Sequence, residues 1–155
     1  MTNPRWSVAA LLVVCAFATP VLAQERPAAG RVKVSEGCAF IVRDGPQIAA
    51  KVGLTLMESD GLRTGGDGKI GVTLNDDTRL SLGPNSELQL QRFTYTPADS
   101  AFGLVLKFVR GAATYVSGRI AKLAPDSIRL ETPAAIIGVR GTTLAINVMP
   151  EGPPA

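Results

Sequence analysis

The 155-residue chain contains no histidine, and its 16 Lys plus Arg and 13 Asp plus Glu nowhere gather into a run of one sign. The first absence removes the commonest general base and the commonest metal ligand together. Ser-His-Asp and Cys-His catalysis are excluded. The second leaves a formal net charge of +3, too balanced to imply nucleic acid. Basic residues such as Lys51, Lys69, Arg79 and Arg129 are scattered, mostly on the polar side of alternating segments, as on a solvated face. Aromatic residues make up only 5% of the chain, so stacking platforms for a sugar are scarce. No apolar run reaches the roughly 20 residues that cross a bilayer as a helix.

The longest apolar run, Val8 to Ala18, follows Arg5 and precedes Thr19-Pro20 and the small-residue site Val21-Leu22-Ala23. This is the pattern of a secretory signal peptide over residues 1–23, cleaved after Ala23, which predicts a periplasmic or secreted protein with no stable membrane span. Cys15 lies inside the run after Val14, where lipidation is not expected. Cys38 then remains alone in a disulfide-permissive compartment, so no intramolecular disulfide can form. At the head of Cys38-Ala39-Phe40-Ile41-Val42 it reads as a small buried hydrophobe, a reactive or intermolecular thiol being the alternative.

Residues 24–29 and 150–155 are rich in Pro, Gly, Ala and charge and read as flexible ends. Between them, residues 30–149 form one domain. Apolar residues alternate at period two in short bursts, among them Ile70/Val72/Leu74, Leu88/Leu90, Phe102/Leu104/Leu106/Phe108 and Leu144/Ile146/Val148. Each burst predicts a half-buried strand, and the whole is all-β. Turn formers such as Asp44-Gly45-Pro46 and Gly83-Pro84-Asn85-Ser86 separate them. Lys51-Val52-Gly53-Leu54-Thr55-Leu56 recurs as Lys69-Ile70-Gly71-Val72-Thr73-Leu74 at an offset of 18 residues. Corners recur at the same offset, which predicts a β-solenoid-like stack with Gly53 and Gly71 on successive coils; a two-sheet β-sandwich is the alternative. Phe93–Ala101 and Gly118–Pro125 break the pattern and read as loops, and no segment has the periodicity of an amphipathic helix.

Chemistry-bearing motifs are few. Gly65-Gly66-Asp67-Gly68-Lys69 lacks the Ser or Thr and the helix of a phosphate loop. A calcium β-roll would need Asp where Ile70 stands. Asp76-Asp77 fits a turn better than a cation site, and Glu58 with Asp60, the best acid–base pair, has no supporting spacing. No enzyme, metal or cofactor is expected. In Gly138-Val139-Arg140-Gly141-Thr142 an arginine sits between two glycines. Arg140, Gly141 and Thr142 read as a corner that locks the last strands through Glu131, or as a recognition site for a carboxylate.

Four segments follow one another along the chain: Asp60-Gly61-Leu62-Arg63-Thr64, Leu80-Ser81-Leu82-Gly83-Pro84-Asn85-Ser86, Phe108-Val109-Arg110-Gly111, and Thr132 to Ile146 with its Gly-Val-Arg-Gly-Thr corner. Together they resemble the FecR domain, an extracytoplasmic all-β module of Gram-negative bacteria, over roughly residues 30–148. Ser59, where the family often has Gly, and Asp77-Thr78, where Gly-Ser is usual, are the departures, both at turns. The resemblance implies a solenoid-like, non-catalytic periplasmic domain that recognises an envelope protein, still unidentified, in signalling or assembly. Members with the full plan span the membrane, sense an occupied outer-membrane iron transporter and control a sigma factor through a cytoplasmic segment. No such segment precedes the apolar run here, so direct sigma-factor control is not expected. A glycan- or cell-wall-binding module, with Tyr95 or Tyr115 as stacking faces on loops, is the alternative.

Overall fold

The computed structural model describes residues 26–141 and 143–149. The expected leader, its cleavage site, Thr142 and the tail from Pro150 lie outside these. Twelve strands account for most of the described chain: β1 (Ala28–Glu36), β2 (Ala39–Val42), β3 (Gln47–Ala49), β4 (Thr55–Met57), β5 (Gly61–Thr64), β6 (Lys69–Leu74), β7 (Arg79–Leu82), β8 (Glu87–Thr96), β9 (Ala101–Val116), β10 (Ile128–Glu131), β11 (Ile136–Gly138) and β12 (Thr143–Val148). One turn of α-helix, α1 (Ile120–Leu123), and two 3-10 turns, Pro97–Asp99 and Pro125–Ser127, interrupt them. The all-β expectation holds.

The strands form one curled sheet in the order β3-β2-β5-β8-β9-β7-β6-β1-β4, with β10, β11 and β12 branching from it. The 16-residue β9 is its spine. Its first part pairs with β8 on one side and β10 on the other; its last part pairs with β7 and β12. The chain bends between these parts at Gly111, whose φ is +84°. Two arms therefore curl from one strand around a single core. Leu88, Leu90, Leu104, Leu106 and Leu130 from one arm and Val32, Ile70, Val72, Leu80 and Tyr115 from the other belong to the same buried cluster. Each such aliphatic side chain contributes about 1.5–3 kcal/mol over its exposed state.

This is a half-barrel rather than a stack of coils. Solenoid coils stack parallel strands, whereas every pair here but β9 with β10 is antiparallel. The segments related by the 18-residue offset do not stack: β1 lies between β4 and β6, antiparallel to both. Gly53 sits in a turn, and Gly71 lies within β6. The offset survives in the corners, where Ser59 and Asp77, 18 apart, adopt φ of +71° and +69°. Strands and tight turns of similar length produce the repeat, and the strands then go to different neighbours.

Other expectations are corrected locally. Ala28 and Ala29, read as part of a flexible end, begin β1; Ala29 is fully buried and Asn75 donates its backbone N–H to its carbonyl at 2.8 Å. Phe93–Ala101 is mostly strand, because β8 absorbs a bulge near Leu90 and Arg92 and continues beside β9 to Thr96. Gly118–Pro125 contains α1, whose Ile120 and Ala121 plug the core. A single helical turn is too short to show a 3.6-residue period. It is held by the Asp76–Thr78 turn: Arg119 N–H donates to the Asp76 carbonyl at 2.7 Å and Gly118 N–H to Thr78 Oγ1 at 3.2 Å.

Tyr115 is fully buried in β9, opposite Leu80 and Leu144. Its hydroxyl has no hydrogen-bond partner among the described residues. Burial, reinforced by the Asp76 carboxylate, pushes the phenol up to about 12 from 10.0. A raised folded value means the folded state keeps the proton longer than the unfolded chain. Its stability is intact below pH 10 and falls as pH rises through about 12. Tyr115→Phe removes the unpartnered hydroxyl, so urea unfolding should show unchanged or greater stability at neutral pH and a shallower alkaline loss. A methyl group at Gly111 would meet the Ser86 side chain and lie 2.6 Å from Ser86 Cα. Gly111→Ala should therefore cost about 2–4 kcal/mol in the same measurement.

Candidate functional site at the open end of the sheet

The motif residues divide into clamps and a free corner. Asp60, fully buried, accepts two hydrogen bonds from the Arg43 guanidinium, at 2.9 and 2.7 Å, and one from Met57 N–H at 2.8 Å. Arg43 also donates to the Thr55 carbonyl at 3.0 Å, so one arginine ties the end of β2 to β4 and β5. Thr64 Oγ1–H donates to the Gly83 carbonyl at 2.6 Å while accepting Ser86 N–H at 2.9 Å. Ser86 Oγ in turn accepts Ala112 N–H at 3.0 Å, just past the bend in β9. Glu87 lies between Arg63, at 3.0 Å, and Arg110, at 3.5 Å. Residues from three motifs thus meet in one polar seam joining both arms. Thr64 and Ser86 hold backbone, Glu87 holds two arginines, and Arg63 Nε is left buried without a partner among the described residues.

The corner before β12 is different. Arg140 is exposed, and no hydrogen bond or ion pair joins it to Glu131 among the described residues. The expected lock is absent because β10 and β11 pair with Arg129 opposite Gly138 and Glu131 opposite Ile136, so Arg140 falls beyond the end of the ladder. Gly141 has the anticipated corner conformation, φ +51°, with open space where a side chain would stand. Thr142 lies outside the described residues.

Around this corner two strands end the sheet without a further neighbour. Among the described residues, β11 pairs only with β10 and β12 only with β9. Neither strand carries a charge. Between them lies a cleft of about 400 Å³ lined by Pro133, Ile137, Ile146 and Val148, with Ile136 and Met149 exposed beside it at 68% and 78%. Soluble proteins usually blunt long edges with Lys, Pro or a bulge. β12 has none of these over its six residues. The edge was legible as a charge-free stretch, but that no strand covers it depends on the pairing.

The other singled-out residues lie elsewhere. Tyr115 is in the core, and Tyr95 is half-buried on β8 with its ring 6.0 Å from that of Phe102. Neither forms a loop surface, because the strands extend through both positions. Cys38 is exposed rather than buried. It occupies the corner between β1 and β2, where its N–H donates to Asp67 Oδ1 at 3.2 Å, and the Asp67 carboxylate pushes the thiol up from its ordinary value. A higher value means less thiolate at neutral pH and a less reactive thiol.

The motif residues of this all-β domain join its two arms. The family described as FecR protein matches residues 60–153, more than half of the chain. The chain belongs to the FecR family, which is involved in envelope signalling. The match starts at the buried Asp60 clamp and runs past the open corner. No curated protein and no solved structure matches the chain.

The division between clamp and corner has a direct test in thermal unfolding. Asp60→Ala leaves the Arg43 charge without its buried partner and should cost about 3 kcal/mol. Arg140→Ala should change stability by less than about 0.5 kcal/mol, as an exposed side chain with no ion pair among the described residues does.

Proposed function

We infer that the protein is a non-catalytic recognition module of the bacterial envelope, exported to the periplasm, which takes an extended segment of another envelope protein along the free edge of β12. The carrying observation is that edge: six residues without charge or proline, apolar on alternate positions, unpaired beside a cleft of about 400 Å³. An added strand satisfies the edge N–H and C=O groups, and the cleft takes its alternate side chains. Arg140 stands at the start of the edge as an exposed cation for a carboxylate on the incoming segment. Family membership supports the signalling context. A glycan-binding role would need open ring faces, and Tyr115 is buried while Tyr95 packs on Phe102.

Placing lysines at Ala145 and Asn147, both exposed on β12, blunts the edge as natural edge strands are blunted. Affinity capture from periplasmic extract should lose its specific partner with Ala145→Lys/Asn147→Lys while the melting temperature stays within a few degrees. Equal capture by the variant and the parent protein would refute edge recognition.

A further inference from the structure

Folding redistributes a nearly balanced charge. The twelve strands carry nine Lys or Arg, namely Arg31, Lys33, Arg63, Lys69, Arg79, Arg92, Lys107, Arg110 and Arg129, against three acids, Glu36, Glu87 and Glu131. Most carboxylates sit instead in turns, and Asp60 and Asp76 are buried. The β8, β9 and β10 arm carries Arg92, Lys107, Arg110 and Arg129 against Glu87 and Glu131, an excess of two cations. Its centre is a three-strand row in which Arg92 of β8 and Arg129 of β10 are both opposite Val105 of β9. With adjacent strands about 4.8 Å apart, their backbones stand on the order of 10 Å from each other. Both side chains are exposed, and neither is in an ion pair among the described residues. Lys107 lies two residues along β9, where the register places Glu131 of β10 opposite it.

The row has a shaped floor. A slot of about 200 Å³ opens between the two arginines over Gly103 and Val105, with Phe102 and Asp126 at its margin. A Cβ at Gly103 would lie 3.3 Å from Arg92 Nε and 3.8 Å from Arg92 Cζ. The missing side chain at Gly103 leaves room for Arg92 to approach β9 beside the slot. Ser127 also lines the slot but donates its hydroxyl to the Ala124 carbonyl at 2.6 Å, and two arginine forks match the planar, two-oxygen geometry of a carboxylate. Asp126 reduces the local charge to that of one excess cation. A single carboxylate entering the slot suits this balance, whereas a phosphate dianion in the slot meets more repulsion from Asp126.

We propose that the Arg92–Val105–Arg129 row is a docking site for an acidic protein segment, Arg92 and Arg129 holding one Glu or Asp side chain in the slot. It is separate from the β12 edge and stands whether or not that edge binds a partner.

The test is fluorescence anisotropy of a capped, labelled octapeptide of alternating Glu and Thr, titrated with the purified chain. The acidic peptide should bind, weaken as salt rises, and outcompete a Lys–Thr octapeptide at least tenfold. Arg92→Glu/Arg129→Glu should lose at least tenfold in affinity, while Arg31→Glu/Arg79→Glu on the opposite arm, and Ala145→Lys/Asn147→Lys on the edge, keep it. If the reversed-charge variant melts early, Arg92→Gln/Arg129→Gln supplies the same comparison. Equal binding of the two peptides, a loss below twofold in the arginine variants, or binding confined to phosphatidylglycerol vesicles or inorganic phosphate would each overturn the proposal.

Discussion

One strand serving two arms is the constraint on which the rest of this structure depends. β9 can hold β8 and β10 at one end and β7 and β12 at the other only by bending at Gly111, where φ is +84°. That bend brings the backbone against Ser86, whose hydroxyl accepts the N–H of Ala112 at 3.0 Å. Ser86 is itself placed by Thr64. A glycine, a serine and a threonine from three separate segments thus set the angle between the arms, and the angle closes the core. A polar seam inside an apolar shell is stable only when each member is satisfied, which makes its residues interdependent.

The curl completes pairing in the middle of the sheet and leaves it incomplete at the margin. β11 and β12 end their arms with free edges and no charge, next to the exposed Arg140. The strand faces collect basic residues while carboxylates go to turns, since Asp is favoured at tight corners and Lys and Arg tolerate a pleated, solvated face. The proposed recognition roles both use what the fold leaves open. The clamps hold the two arms together.

Strand existence was legible in the sequence, because alternation such as Phe102/Leu104/Leu106/Phe108 marks a strand, and in β9 Leu104, Leu106 and Phe108 are buried with Phe102 half-buried. Corners were legible for the same local reason. Strand partnership was not. Lys51–Leu56 and Lys69–Leu74 look alike, yet one is mostly a turn and the other a central strand, because β1 inserts beside β6 and no short-range pattern records that. Burial of Tyr115 and exposure of Cys38 follow from pairing and from a corner, again long-range facts. The cationic row was invisible for the same reason: Arg92 and Arg129 lie 37 residues apart in sequence and meet only across Val105.

Native-state hydrogen exchange measures the central claim directly, that β9 makes both arms one cooperative unit with an open margin. The amides of Leu106 and Tyr115, on either side of the Gly111 bend, should exchange only through global unfolding, with the same free energy and the same denaturant dependence. Along β12, amides facing β9 should be protected, and those facing away should exchange at close to solvent rates. Two distinct opening energies for Leu106 and Tyr115, or uniform protection along β12, would contradict the account.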